Sequence, residues 1–163
     1  MTNPSALLRV SLLVLILGIG PAATAGAQSV YSGERPHMIL SDQLTWTEAP
    51  AVAPGAKIAV IEGPLNKAVP FTFRLKIPAN AKIAPHTHPA FERVTVLAGT
   101  FYFAHGETYD RTKTTALGRG SVAIMPPNTP MFGYTKEDTV IQLHGIGPWG
   151  LTYLNPTDDP RKK

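Results

Sequence analysis

The sequence predicts an all-β protein built as one sandwich or barrel. Apolar residues recur with period two, clusters of Gly, Pro and Asn punctuate them at close intervals, and helical periodicity is almost absent. Parallel α/β architecture is thereby excluded. At the N-terminus, Arg9 precedes an apolar run from Val10 to Ile19 and Ala25-Gly26-Ala27 forms a small-x-small cleavage site, so residues 1–27 read as a secretory signal peptide. The run is shorter than the ~20 apolar residues a spanning helix needs. The mature chain is therefore expected to start near Gln28, to be periplasmic or secreted, and to have no stable membrane insertion after cleavage.

Residues 28–56 read as an extended, Pro-punctuated N-terminal arm with a short strand near Leu44 to Thr47, and residues 57–155 as the barrel. Ile58 and Val60 open it. Phe71, Phe73 and Leu75 then alternate with Thr72, Arg74 and Lys76, giving a strand with one apolar and one polar face. Val94 and Val96, Val122 and Ile124, and Val140, Gln142 and His144 continue the alternation. Turn signals fall at Pro54-Gly55, Gly63-Pro64, Pro78-Ala79-Asn80, Ala98-Gly99, Pro126-Pro127-Asn128 and Gly147-Pro148. One helical turn is expected around Glu107 to Lys113. Residues 156–163, ending Arg161-Lys162-Lys163, read as a solvated C-terminal tail. No internal repeat is visible.

The composition narrows the function. At 163 residues, 44% hydrophobic and 16% charged, the chain holds one well-buried core. With no Cys, a disulfide framework, a thiolate-ligated zinc and a thiol nucleophile are excluded. Any metal must bind through His, carboxylate or Met. A net charge of +4, with no basic run but the last three residues, argues against nucleic acid as a partner.

The chemistry concentrates in Pro85-His86-Thr87-His88-Pro89-Ala90-Phe91-Glu92. His86 and His88 are two apart, so on a strand they leave one face, and Glu92 keeps that parity. Two neutral imidazoles and a carboxylate suit a divalent transition metal with open positions for substrate or dioxygen. By the same parity Val94 and Val96 face the site, which makes its surroundings apolar, and Arg93 and Thr95 point out.

These residues resemble the first motif of the cupin superfamily, G-x5-H-x-H-x3/4-E-x6-G, at His86, His88, Glu92 and Gly99, with Asn80 in place of the opening Gly. Asn is among the few residues that tolerate the left-handed backbone. The second motif, G-x5-P-x-G-x2-H-x3-N, falls on Gly120, Pro126, Asn128, Met131 and Thr135, of which the Gly and Pro match. The resemblance covers residues 57–155. It implies a single jelly-roll (double-stranded β-helix) cupin barrel with a pocket at its mouth.

Met131 stands where the family's second motif donates a fourth ligand, a His. Three readings are open: a cavity-filling side chain beside a three-ligand site, a soft thioether ligand favouring copper, or a lost metal site with the two histidines as pocket walls. His144, with Gln142 on its strand face, is a candidate replacement donor, against the plainer reading of a hydrogen-bonded structural His. Tyr134 is a candidate acid or hydrogen-bond donor near Met131. Weaker candidates resolve to structure. Gly145-Ile146-Gly147-Pro148-Trp149-Gly150 spells G-x-G-x-x-G but lacks a following helix, so its glycines read as a tight turn packing Trp149. His37 and His105 read as solvated, and Ser121 lacks a nucleophile elbow.

The expectation is an exported cupin holding one divalent metal (Fe, Mn, Zn, Ni or Cu) through His86, His88 and Glu92. On a small organic molecule it would act as a dioxygenase, isomerase or lyase; the alternative is a non-catalytic metal- or ligand-binding cupin. A homodimer is expected from the apolar outer sheet and the arm.

Overall fold

The computed structural model describes Tyr31, Gly33 and residues 35–162; the expected signal peptide lies outside the described residues. Eleven strands follow in chain order: β1 (Thr47–Glu48), β2 (Lys57–Glu62), β3 (Pro70–Ile77), β4 (Lys82–Thr87), β5 (Glu92–Ala98), β6 (Phe101–His105), β7 (Thr115–Leu117), β8 (Val122–Met125), β9 (Met131–Thr135), β10 (Thr139–Ile146) and β11 (Thr152–Tyr153). Six pair in the order β1-β2-β3-β10-β5-β8 and five in the order β11-β4-β9-β6-β7. Every ladder between these strands is antiparallel. Among the described residues the helical segments are short 3-10 turns, one of them at Arg111–Lys113 within the expected segment. None is long and apolar enough to cross a membrane.

The expected alternation of β3 is realised: Phe71, Phe73, Leu75 and Ile77 are buried. Each such side chain contributes about 1.5–3 kcal/mol by leaving water. Val94 and Val96 on β5 and Phe101 and Phe103 on β6 complete the core from the facing sheets. Along β10, the central partner of β3 and β5, the buried residues are Thr139, Ile141 and Leu143, so Val140, Gln142 and His144 stand on the opposite face. On β8, an edge strand, Val122 and Ile124 are exposed while Ala123 and Met125 pack toward the core.

The two Asn substitutions in the motif positions do what Gly would. Asn80 has φ 61° and Asn128 φ 58°, both in the left-handed region that Asn tolerates. At Gly99, with φ 71°, a Cβ would stand 2.6 Å from the Asp138 carbonyl oxygen, so the family's Gly is required there by space as well as by backbone.

The ends of the chain differ from expectation. Over residues 44–56 the arm packs on the barrel: Leu44, Ala49, Val52, Ala53 and Ala56 are buried, and the turn is closed by Ala49 N–H to Ala56 O at 2.8 Å. Small side chains let this Pro-punctuated segment pack on the barrel. The Tyr153 hydroxyl pins it by donating toward the carbonyls of Ala51 (2.9 Å) and Val52 (3.2 Å). The tail is also folded, since buried Asp159 accepts from Arg161 Nε (2.8 Å) and Nη2 (2.7 Å).

Candidate functional site

His86 lies near the end of β4, His88 in the turn that follows, and Glu92 at the start of β5. The parity of the three survives although a turn interrupts the strand. All three side chains are buried and line one cavity between the sheets, with Leu75, Ile83, Phe101, Phe103, Ile141 and Leu143 among its apolar walls. Val52, Trp149 and Leu151 close it from the arm and the C-terminal segment.

Each imidazole is oriented by a backbone carbonyl. His86 Nδ1 lies 2.7 Å from Ala84 O and His88 Nδ1 2.6 Å from Gly150 O. A carbonyl only accepts, so Nδ1 carries the proton in both rings and Nε2 keeps its lone pair. The two rings meet edge to face at 4.9 Å, and the Trp149 indole stacks on His88 at 4.8 Å and 20°. The backbone of His88 is held as well, its carbonyl accepting from Asn128 N–H at 2.8 Å.

Burial governs the electrostatics. Desolvation, then the neighbouring His88, lowers His86 to about 3. Desolvation lowers His88 to about 4 and raises Glu92 to about 8. At neutral pH the three groups are therefore two neutral imidazoles and a carboxylic acid. His88 Nε2 and Glu92 Oε1 stand 3.4 Å apart, an encounter of neutral groups and not an ion pair at that pH. His88 Nε2 and Glu92 Oε2 are buried without a hydrogen-bond partner. Such atoms cost free energy unless something completes them.

The donor chemistry fits a divalent ion: two Nε2 lone pairs with Nδ1 tied back, one carboxyl, and two unfulfilled buried atoms. The cavity has room of about 20 Å³, enough for one atom-sized occupant such as a water. Among the described residues, no group of three or more His, Asp or Glu side chains, these three included, is already placed to hold a metal ion.

The other candidates divide. Met131 is fully buried across from His86 in the β4–β9 register and packs in the core without lining this cavity. Tyr134 is a correction: it faces away from the barrel interior, stacked on Tyr102 at 4.6 Å beneath the Arg111 guanidinium at 4.4 Å. Gln142 and His144 are corrections too, because inward parity on β10 belongs to Ile141 and Leu143. Gln142 accepts from Arg74 Nε at 3.0 Å, and His144 is exposed between Thr72 and Arg93. Sequence reasoning missed the Gly150 carbonyl, Val52 and Leu151 as parts of the site and took Trp149 for turn packing alone.

No protein-family model matches this chain, and no curated protein matches it in sequence. Solved structures do. The chain is similar to the polyketide cyclase RemF from Streptomyces resistomycificus at 13% identity and a TM-score of 0.63, over 78% of this chain and 92% of that one. It is similar to an acetylacetone dioxygenase from Acinetobacter johnsonii at 11% identity and a TM-score of 0.58, over 80% and 85%. A RmlC-like cupin from Shewanella frigidimarina matches at 11% identity and a TM-score of 0.54, over 76% and 96%. The fold of this chain is thus the cupin fold, as its motifs imply.

Proposed function

We propose that this chain is an exported cupin that binds one divalent metal ion through His86, His88 and Glu92 and acts on a small, oxygen-bearing organic molecule. One observation carries the reading: both imidazoles donate from Nδ1–H to backbone carbonyls, which leaves Nε2 of each for a ligand beside the unpartnered Oε2 of Glu92. A bound divalent ion would supply a Lewis acid with open coordination positions. The chain's own residues do the rest. Ala84 O and Gly150 O fix tautomer and ring direction, the apolar walls exclude water, and Glu92 gives up its proton when a cation arrives. Dioxygenase and cyclase activities belong to neighbours of the same fold, and fold alone does not select among them.

A second reading, a non-catalytic metal- or ligand-binding cupin, draws support from the cavity's size, because about 20 Å³ beside the triad admits no organic substrate without movement of a wall.

Elemental analysis of the untagged mature protein tests the site. Close to one metal per chain is expected, lost in His86→Ala and in His88→Ala. Unchanged metal in either variant, or none after reconstitution with zinc or manganese, would overturn the proposal.

A further inference from the structure

Trp149 stands between two spaces. It lines the small cavity beside the triad and also an outer groove of about 350 Å³, bounded by the Glu48–Val52 turn, Ile58, Leu65 and Leu151. Val52, Leu75, Trp149 and Leu151 belong to both, so they form the partition between them. The groove has the volume of a small-molecule site, and the cavity does not. Its lining is largely apolar. Of its two charged residues, Arg161 is engaged by Asp159.

The indole has two faces of use. Its ring is fixed, stacked on His88 and edge-on to Phe73 at 4.7 Å and 65°, with its backbone N–H donating to Leu65 O at 2.7 Å. Its Nε1–H is buried and has no acceptor in the protein. Indole N–H groups usually find a partner when buried, and a buried donor without an acceptor at the partition favours an occupant that supplies one.

We propose that Trp149 is the recognition residue of this site. The groove takes a flat, largely apolar molecule, and the indole N–H donates to an oxygen that the molecule carries, a carbonyl or enol, as the molecule passes the partition toward His88. This rests on reading the surroundings of His88 as the place of action, with the groove as the ligand's seat, and not on the presence of a metal. The Gly150 carbonyl that orients His88 sits between the partition residues Trp149 and Leu151, so the group that recognises the ligand and the group that aims the imidazole share one short segment.

The test uses the 1H–15N indole resonances of the purified protein, in chelator and again with zinc, titrated with acetophenone and with ethylbenzene, its near-isostere without the oxygen. Two indole signals are expected, from Trp46 and Trp149. The Trp149 signal is identified by its loss in Trp149→Phe, which keeps a ring against His88 and removes the donor. Acetophenone is expected to move it downfield and to bind about five-fold tighter than ethylbenzene, with the preference abolished in Trp149→Phe. If both probes bind with equal affinity and the indole stays put, the donor role is overturned. If neither perturbs the groove at millimolar concentration with or without zinc, the groove is not the ligand site. Metal content, measured separately, reports on the triad whichever result is found.

Discussion

Glu92 allows a quantitative test. Its carboxyl is enclosed by apolar walls, and burial raises its pKa to about 8 from 4.5. Between those two values the native state holds a proton that the unfolded chain has released, so the contribution of Glu92 to the stability of the metal-free protein falls as pH rises. The slope is about 1.4 kcal/mol per pH unit and tapers near pH 8, which gives a loss of about 2 kcal/mol between pH 6 and pH 8. His86 and His88 act in the opposite sense. Their native pKa values are lowered, to about 3 and about 4, so the stability they withhold in acid is recovered as pH climbs through the unfolded imidazole value of 6.5. That contribution is common to wild type and Glu92→Gln, so the difference between the two proteins isolates the carboxyl. Urea unfolding in chelator at pH 6, 7 and 8 is the assay. Glu92→Gln is expected to gain about 2 kcal/mol on wild type across that range. Saturating zinc reverses the wild-type slope, because the ion takes the ionised carboxylate, and calorimetry at pH 7 in buffers of different ionisation heat should find close to one proton released per metal. Parallel pH profiles for the two metal-free proteins would refute the buried carboxylic acid.

Two further outcomes follow from placement. Met131→Leu conserves volume in the core and should cost less than about 1.5 kcal/mol, with zinc and copper uptake unchanged; Met131→Ala should cost about 2–5 kcal/mol, and selective loss of copper in either would make the thioether a ligand. His144→Ala and Tyr134→Phe should leave metal content at the wild-type level by elemental analysis, since both side chains face away from the cavity.

Much of the molecule was legible in its residues, and the failures have physical causes. The alternation of β3 could be read because one face is wholly apolar and the other polar. That His86, His88 and Glu92 line one cavity could be read because their spacing survives the turn at Pro89. Asn80 and Asn128 could be accepted in place of Gly because their left-handed backbone is a property of the residue type. On β10, by contrast, Val140 and Ile141 are both apolar, so two registers of inward residues compete in the sequence. Only pairing with β3 and β5 selects Ile141 and Leu143, and a slip of one residue sends Gln142 and His144 to the other face. The arm misled because Ala contributes little to any periodic pattern yet fits close against a barrel. The carbonyls that orient His86 and His88 are backbone groups, and no side-chain motif announces them.

The contact between His88 and Gly150 joins residues 62 positions apart, and Tyr153 reaches back to Ala51 across 102. Nothing local to the His-x-His segment reproduces these partners. A nascent chain that has presented residues 86–92 but not yet 149–153 can tie His86 to the nearby Ala84 carbonyl, but it leaves the His88 imidazole without the carbonyl that aims it. His88 is aimed only when the segment of residues 149–153 closes over the arm. On the proposed reading of an exported, metal-binding chain, the ion is chosen where folding finishes, and the order of translocation and folding becomes part of the specificity.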